Sequence, residues 1–196
     1  MNIGLILLAA GSSSRMGQSK QLLKIDGEPL LVHIAKVAVQ SGIGPVIAVL
    51  GANEAAHRKI IEPMNVKIVV NPGWETGMGS SIKTGLRHLI KILPDTEAAM
   101  IMVCDQPLLT SDHLQKLTGA LSGNDKLVSA SHYSGTAGVP ALFHRSLFPE
   151  ILAMSDDEGA KKIIQQHLHD TVAVNFPEGA IDLDTQEDHD RFLRPG

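Results

Sequence analysis

An apolar run at residues 3–10 ends abruptly in a loop of small and cationic residues, GSSSRMGQSK at 11–20. The run is continuous rather than alternating, which is typical of a strand buried on both faces of a sheet. In the loop, small residues let backbone N–H groups approach phosphate oxygens, and Arg15 and Lys20 supply positive charge. The sequence therefore predicts a phosphate-binding loop directly after a buried strand. The alternative is an ordinary strand-to-helix turn with two solvated cations.

Apolar strands alternate with amphipathic helical segments along the chain. Besides the first, the predicted strands lie at 45–51, 66–70, 98–104, 126–130 and 139–143. The predicted helical stripes lie at 30–38, 53–61, 82–93, 114–121 and 158–169. This alternation, with short connections, predicts an α/β fold with a mostly parallel, three-layer sheet.

The second half of the chain is less regular. A Gly/Ser-rich turn is predicted at 131–138, and the Val139-Pro140 pair favours an edge strand or the start of a strand. The segments 172–174 and 180–184 are predicted to form a short hairpin-like addition. Thr185 is predicted to cap a last helix, with Asp188 three residues further on.

The composition narrows the class of protein. With 196 residues, of which 43% are hydrophobic and 19% charged, the chain suits one folded domain. Its net charge of −4 argues against a nucleic-acid surface but not against a nucleotide site with a few local cations. A single cysteine, Cys104, rules out an intrachain disulfide. No apolar run is long enough to span a membrane and no secretory pattern opens the chain, so we expect a cytoplasmic protein without a membrane partner.

Two further features follow predicted strands. Ligands of parallel α/β sheets bind outside the carboxyl ends of the strands, so we expect both features to lie near the first loop. Asp105, after the fourth strand, is placed to hold Mg²⁺, which takes one or two carboxylates besides phosphate oxygens and water. The alternative for Asp105 is a solvated turn residue.

The second feature is the loop NPGWETGMGSS at 71–81, which opens a helix whose N–H groups can receive an anion or a base edge. The alternative role of Ser80 or Ser81 is helix capping. Trp74 either stacks on a ligand or packs on the surface.

The first loop, LAAGSSSRMGQSK, resembles the signature of the MobA-like nucleotidyltransferases, Leu-Ala-(Ala/Gly)-Gly-x-x-x-Arg-(Met/Phe)-Gly-x-x-Lys, at every fixed position. The resemblance implies a three-layer α/β/α, Rossmann-like nucleotidyltransferase fold. It also implies a Mg²⁺-dependent transfer of a nucleoside monophosphate from a nucleoside triphosphate to a phosphorylated acceptor, with release of pyrophosphate. The nucleotide-binding residues that it implies are Leu8, Ala9, Ala10, Gly11, Arg15, Lys20, Asn71, Gly79, Ser80 and Ser81.

The same resemblance assigns a metal and a catalytic set. Asp105 matches the family's metal-binding Asp-x-Pro, and Arg15 and Lys20 are expected to offset charge on the leaving pyrophosphate. The segment IDLDTQED at 181–188 looks like the family's late acidic element. Asp184 is the usual second metal ligand there and Asp182 a weaker candidate, although both are also explained by a capped helix start.

The remaining family elements concern the acceptor. Gly138 and Pro140 occupy the place of the acceptor-binding segment, where Val139 replaces a residue that is often polar. The segment 156–161 resembles the Gly-Asp-x-Gly-Ala-Arg element that follows, or is simply an acidic helix start. We interpret Cys104 as a small buried residue rather than a nucleophile.

Within the family that the chain resembles, members with Leu-Ala-Ala-Gly use a cytidine nucleotide and members with Leu-Ala-Gly-Gly a guanosine nucleotide. The resemblance therefore implies that Ala10 indicates CTP. The 71–81 motif indicates a molybdopterin-type molybdenum cofactor as acceptor, with a molybdenum hydroxylase receiving the product. We expect one domain over 1–196, with a nucleotide-binding half at 1–110 and an acceptor-binding half at 111–196. A cytidylyltransferase acting on a sugar or polyol phosphate, and a non-catalytic or redox-adapted member such as a cofactor-insertion chaperone, remain open.

Overall fold

The computed structural model describes residues 1–12, 19–181, 183 and 192. Within them, nine strands and six α-helices follow one another. The strands are β1 (Ile3–Ala9), β2 (Lys24–Ile25), β3 (Glu28–Pro29), β4 (Val46–Leu50), β5 (Lys67–Val70), β6 (Ala98–Val103), β7 (Val128–Tyr133), β8 (Thr136–His144) and β9 (Thr171–Asn175). The α-helices are α1 (Leu30–Gln40), α2 (Glu54–Ile61), α3 (Met78–Ile92), α4 (Ser111–Ser122), α5 (Phe148–Ala153) and α6 (Ala160–Gln166).

Seven of these strands form one sheet in the order β5-β4-β1-β6-β8-β7-β9. Strands β5, β4, β1 and β6 run parallel, and β9 runs parallel to β7, while β8 is antiparallel to both of its neighbours. The predicted mostly parallel α/β fold is therefore confirmed. The chain moves outward from β1 to β4 and β5, and then returns to place β6 on the other side of β1.

Helices cover the sheet on both faces, which explains why β1 is apolar throughout. All seven residues of β1 are buried, because Leu5 and Leu7 face one helical layer and Ile6 faces the other. The first layer packs α1, α2 and α4 on the sheet, and the second packs α3, α5 and α6. The strand reaches solvent on neither face, so a polar residue at any of these positions would lose its hydration.

The turn predicted at 131–138 is wrong in extent. The turn itself is Ser134–Gly135, with both residues at positive φ, and the strands β7 and β8 continue to either side of it. Pro140 lies inside β8 and not at an edge or a strand start. It is tolerated there because the β6 pairing ends at Ala141 and the register with β7 shifts between Ala130 and Ser131, so no ladder partner needs an N–H from Pro140.

The predicted hairpin-like addition is also wrong for the residues that the structure describes. The segment around 172–174 is β9, which pairs in parallel with β7 at the sheet edge, and Pro177–Ala180 is a 3-10 turn. The helix predicted at 158–169 ends at Gln166, because His167 leaves helical geometry before a 3-10 turn at Leu168–Asp170. The predicted cap at Thr185 and the helix after it lie outside the described residues.

Among the described residues, no helix is both long and apolar enough to cross a membrane.

The packing of α3 on the sheet depends on a glycine. A Cβ on Gly85 would lie 2.4 Å from Cγ2 of Ile6 and 2.9 Å from Cγ2 of Val49, and both side chains are fully buried. We expect Gly85→Ala to cost about 1–2 kcal/mol net, because overpacking outweighs the better helix propensity of alanine. This corresponds to a fall of about 3–6 °C in the midpoint of thermal unfolding for a chain of this size.

The matched control for this measurement is Gly119→Ala on α4. Gly119 is exposed and a Cβ there would meet nothing within 4 Å. This variant should unfold at a higher temperature than the wild type by about 2–4 °C, because only helix propensity changes. Equal shifts for the two variants would contradict the packing described here.

Candidate active site

A cleft opens where the strand order reverses, between the carboxyl ends of β1 and β6. Leu8 pairs with Val103 across these two strands, so Ala10 and Asp105 leave the sheet side by side. Open α/β sheets bind their ligands at such a reversal. The cavity here has a volume of about 310 Å³, within the usual range of small-molecule sites.

Residues far apart in sequence meet in this cavity. Its walls come from the end of β1 and the loop after it, from the turn at Lys20, from the 71–81 loop and from the end of β6. The lining residues are Leu8, Ala9, Ala10, Gly11, Ser12, Lys20, Gln21, Trp74, Glu75, Gly77, Met78, Ser81, Val103, Cys104 and Asp105. Seven of the sequence-predicted site residues are thus brought together: Leu8, Ala9, Ala10, Gly11, Lys20, Ser81 and Asp105. Arg15 lies outside the described residues.

Lys20 and Asp105 form an ion pair within this cavity. Nζ of Lys20 lies 2.7 Å from Oδ2 of Asp105, and the side chains are 19% and 23% exposed. The pair joins the loop that follows β1 to the end of β6, across 85 residues of sequence. A cation and a carboxylate therefore lie together in the cavity that Ala10, Gly11 and Ser12 also line.

The donor set at Asp105 fits a divalent cation of the Mg²⁺ type. The described residues hold no group of three or more His, Cys, Asp or Glu side chains that could form an all-protein metal site. A single carboxylate beside a phosphate loop is the arrangement that Mg²⁺ accepts, since phosphate oxygens and water complete its shell. The backbone N–H of Leu183 donates to the carbonyl of Asp105 at 3.2 Å. Asp182 and Asp184, on either side of Leu183 in sequence, are outside the described residues.

The 71–81 loop is held by its own polar side chains. Asn71 is 4% exposed, and its amide donates to Oγ of Ser80 at 2.8 Å and of Ser81 at 3.0 Å. Its Oδ1 accepts from the N–H of Gly73 at 3.0 Å. The hydroxyl of Ser80 in turn is within donating distance of the carbonyls of Gly73 and Gly77. Asn71 and Ser80 therefore shape the loop, while Ser81 also reaches the cavity.

Gly77 and Gly79 allow the start of α3 to lie against the segment 155–158. A Cβ on Gly77 would lie 2.4 Å from the carbonyl oxygen of Asp156, and one on Gly79 would lie 2.3 Å from that of Ser155. Gly77 also has φ 130°, which side chains rarely adopt. Gly79 lies under the loop and does not line the cavity.

The segment 155–158 is fixed to α3 by charge as well. Oδ1 of Asp156 lies 2.6 Å from Nζ of Lys83, and Oδ2 accepts from the hydroxyl of Thr76 at 2.9 Å. The hydrogen bonds of Lys83 and Thr76 lower the pKa of the Asp156 carboxyl. The acidic element predicted at 156–161 thus braces the 71–81 loop.

Trp74 and Met78 form the apolar wall of the cavity. A Cβ on Gly51 would lie 2.7 Å from Cβ and Cγ of Trp74 and 2.8 Å from the carbonyl oxygen of Ala10. Gly51 therefore lets Trp74 pack beside Ala10, on the cavity side of the loop. Met78 is 49% exposed and carries a flexible apolar side chain into the same wall.

The predicted acceptor residues, Gly138 and Pro140, do not line the cavity. Gly138 and Pro140 are buried, and a Cβ on Gly138 would lie 2.6 Å from the hydroxyl oxygen of Tyr133. The carbonyl of Val139 accepts from Nε2 of Gln106 at 3.1 Å and from the hydroxyl of Tyr133 at 3.0 Å. Gln106, the residue after Asp105, thus connects the end of β6 with the segment at 138–140. The sequence pattern does not reveal this connection.

A buried histidine supports the same segment. Nε2 of His113 lies 2.8 Å from Oγ of Ser131, whose hydroxyl donates to the carbonyl of Pro140 at 2.7 Å. Burial, with a smaller contribution from Lys116, lowers the pKa of His113 to about 4, so the ring is neutral near pH 7. Its ring stacks on Phe176 at a centroid distance of 4.2 Å. His113 is therefore a packing and hydrogen-bonding residue.

The thiol of Cys104 is buried and protonated, so it is a poor nucleophile. It is 3% exposed, and burial together with the neighbouring Asp105 raises the pKa of its thiol to about 12. A thiolate is the nucleophilic form of cysteine, and this thiol stays protonated near neutral pH.

The chain resembles known proteins over nearly its whole length. Residues 5–172 match the family model described as the MobA-like NTP transferase domain. The purine catabolism protein PucB of Bacillus subtilis is 30% identical, over 96% of this chain and 95% of its own. Nicotine blue oxidoreductase of Paenarthrobacter nicotinovorans is 31% identical over 96% and 95%. The molybdenum cofactor cytidylyltransferase of Escherichia coli is 28% identical over 95% and 93%.

Solved structures agree with this result. The crystal structure of Rv0371c from Mycobacterium tuberculosis has a TM-score of 0.82 to this chain, at 27% identity and 98% coverage of both chains. The manganese complex of Rv0371c has a TM-score of 0.80 at 26% identity, again with 98% coverage of both chains. The signature loop, the Asp105 position at the end of β6 and the family match over residues 5–172 together show that the chain belongs to the MobA-like NTP transferase family of nucleotidyltransferases.

Proposed function

We propose that the chain transfers CMP from CTP to a molybdopterin-type molybdenum cofactor and releases pyrophosphate. The observation that carries this proposal is the Lys20–Asp105 ion pair, at 2.7 Å, inside a cavity lined by the first loop. A cation for the triphosphate and a carboxylate for a divalent metal lie together there. Membership of the family supports nucleotidyl transfer, and the relative named molybdenum cofactor cytidylyltransferase supports the choice of acceptor.

The chemistry of this transfer needs positioning and neutralisation of charge more than covalent help from the protein. The acceptor phosphate attacks the α-phosphorus in line, and the bond to the leaving pyrophosphate breaks. Backbone amides from Gly11 onward hold the phosphates, and Lys20 and Arg15 offset the charge that develops on the pyrophosphate. A bound Mg²⁺ supplies Lewis-acid polarisation of the α-phosphate and a template for the two reactants.

Asp105 holds that metal in our proposal, with Asp184 as the second carboxylate and Asp182 as its weaker alternative. The hydrogen bond from the N–H of Leu183 to the carbonyl of Asp105 supports this, because Leu183 stands between the two candidates in sequence. The described part of the chain holds no group of three or more possible metal ligands at this point, which leaves room for phosphate oxygens and water in the coordination shell.

The two halves of the chain divide the substrates in this proposal. Residues 1–110 hold the nucleotide, with Asn71, Gly79 and Ser80 acting through the shape of the 71–81 loop and Ser81 from the cavity wall. Residues 111–196 hold the acceptor, near Gly138 and Pro140. Because Gln106 donates to the carbonyl of Val139, the acceptor segment keeps a fixed place relative to Asp105. The product would then pass to a molybdenum hydroxylase.

A second candidate is a redox-adapted or non-catalytic member of the family. The observation in its favour is the 31% identity to a protein named nicotine blue oxidoreductase. The discriminating experiment measures pyrophosphate release with Mg²⁺ and each of CTP, GTP, ATP and UTP, with and without molybdenum cofactor from a carrier. Release that requires both CTP and the cofactor supports our proposal. No release from folded protein with any nucleotide would contradict it, and sugar and polyol phosphates would be tested next as acceptors.

Removal of the Asp105 charge tests the proposed metal ligand. We expect Asp105→Asn to lower the rate of pyrophosphate release by about 100-fold or more, because the metal loses its carboxylate and the transition state its charge balance. The matched control is Asp112→Asn on α4, whose carboxylate is 70% exposed and pairs with Lys116. That variant should keep the wild-type rate. A fully active Asp105→Asn enzyme would exclude the proposed metal site.

Ala10 tests the choice of nucleotide. Its side chain is 5% exposed and lies in the cavity wall next to Trp74, so its methyl group takes space that a larger base needs. We expect Ala10→Gly to shift the ratio of kcat/KM values for CTP and GTP toward GTP by about tenfold, the usual effect of a single methyl group in a pocket. A ratio equal to that of the wild type would argue that Ala10 does not select the base.

A further inference from the structure

The first loop is anchored by three successive carbonyl groups. The carbonyl of Ala10 accepts from the N–H of Ala52 at 2.9 Å. The carbonyls of Ala9 and Gly11 accept from the side-chain amide of Gln21, at 3.4 and 3.0 Å. In a trans peptide the N–H of the next residue points away from the carbonyl. The N–H groups of residues 10 and 12 therefore point away from Gln21, and the N–H of Gly11 points away from Ala52.

Gln21 is the centre of this arrangement. Although it is polar, it is 1% exposed, and it lies directly after Lys20 in the turn Lys20–Leu22. Because its Nε2 donates to backbone carbonyls, its Oε1 is the atom that accepts from the hydroxyl of Ser19, at 2.7 Å. Gln21 thus joins the end of β1 to Ser19, and these two residues stand on either side of Lys20.

His57, on α2, completes the chain of hydrogen bonds. Its Nε2 lies 2.6 Å from Oγ of Ser19. The hydroxyl proton of Ser19 is already given to Gln21, so Nε2 of His57 must be the donor and the ring must be the Nε2–H tautomer. His57 is fully buried, and its Nδ1 has no hydrogen-bond partner among the described residues. A buried ring nitrogen without a hydrogen-bond partner lowers the stability of the fold. A histidine at this position therefore needs an explanation other than stability.

We propose that His57 is a positioning residue of the first loop, which acts through Ser19 and Gln21 to orient the amides of residues 10 and 12 and the Lys20 side chain. The part of this inference that concerns phosphate binding rests on the proposed function. His57 does not touch the cavity itself. It fixes Ser19, Ser19 fixes the Gln21 amide, and Gln21 fixes two carbonyls of the loop.

Two amide substitutions test which ring nitrogen of His57 matters, because each keeps a donor near only one of the two nitrogen positions. In His57→Gln, the side-chain NH₂ falls near the position of Nε2 and can still donate to Ser19. In His57→Asn, the shorter side chain places its NH₂ near the position of Nδ1, and Ser19 loses its donor. His169→Asn, at an exposed position on the far 3-10 turn, is the control for histidine loss.

The first readout is the binding of CTP and of inorganic pyrophosphate in the presence of Mg²⁺. Binding is monitored by the change in Trp74 fluorescence. Trp74 is the only tryptophan and lines the cavity. We expect His57→Asn to weaken both ligands by about tenfold at a temperature where it is fully folded, with an unfolding temperature only about 2–4 °C below that of the wild type, and His57→Gln to restore binding to within about threefold of the wild type. Pyrophosphate is included because it probes the loop without a base. Equal binding by wild type, Asn and Gln variants would overturn the proposal, as would losses that merely follow the loss in unfolding temperature.

The second readout needs no nucleotide. We expect hydrogen exchange of the Ala52 amide, which donates to the carbonyl of Ala10, to become about fivefold faster for His57→Asn, as for loss of one net hydrogen bond, and to stay near the wild-type rate for His57→Gln. ¹⁵N NMR of the wild type should show the Nε2–H tautomer of His57. Unchanged exchange or an Nδ1–H tautomer would overturn the proposal. If His57→Asn does not fold, Ser19→Ala removes the same link from a less buried position and must show the same faster exchange.

These readouts separate the two proposals. A wild-type protein that binds neither CTP nor pyrophosphate contradicts the proposed function. The exchange and NMR results still decide whether His57 orients the loop.

Discussion

The parallel pairing of β1 with β6 is the constraint on which the site depends. The register from Ile3 with Ala98 to Leu8 with Val103 brings the ends of two strands together that are more than 90 residues apart in sequence. The loop that carries Gly11 and Lys20 leaves one strand, and Asp105 leaves the other. A slip of this register would separate Lys20 from Asp105 and place buried residues on the wrong face.

Close packing of backbone on backbone gives the cavity its walls. Gly51 admits Trp74 beside Ala10, and Gly77 and Gly79 admit the segment 155–158 against the start of α3. A side chain at any of these positions would push one wall away from the other. Glycines at the ends of strands and helices therefore permit the close contacts that shape the cavity.

Buried polar side chains connect the elements around the cavity. Gln21, Asn71 and Gln106 are each at most 4% exposed, and each donates to a backbone carbonyl or a hydroxyl of another segment. In a low-dielectric interior such bonds are strong, and leaving one unmade is costly. They hold loops that have no apolar face of their own, and they explain how a cavity built largely from loops keeps a defined shape.

Local patterns predicted the elements of the first half well. A strand that is buried on both faces is continuous in hydrophobicity, and an amphipathic helix repeats at its own period, so β1, α1, β4, β5, β6 and α4 are found from sequence. The second half was predicted less well. Strands were predicted at 126–130 and 139–143, but the inner ends of β7 and β8, at 131–133 and 136–138, were assigned to a Gly/Ser-rich turn, because the polarity of Ser131 does not reveal that it is fully buried. The parallel placement of β9 depends on pairing with β7, which no local pattern reports.

The site divides in the same way. The sequence by itself identified the family through the signature loop with Lys20 and the Asp-x-Pro at Asp105, since these are short motifs contained in adjacent residues. Only the tertiary structure decided that Lys20 meets Asp105, that Asn71, Gly79 and Ser80 shape a loop rather than line the cavity, and that Gln21 and His57 stand behind it. These are contacts across tens of residues. They depend on strand order and on which backbone groups are left to be hydrogen-bonded, and a single stretch of sequence contains neither.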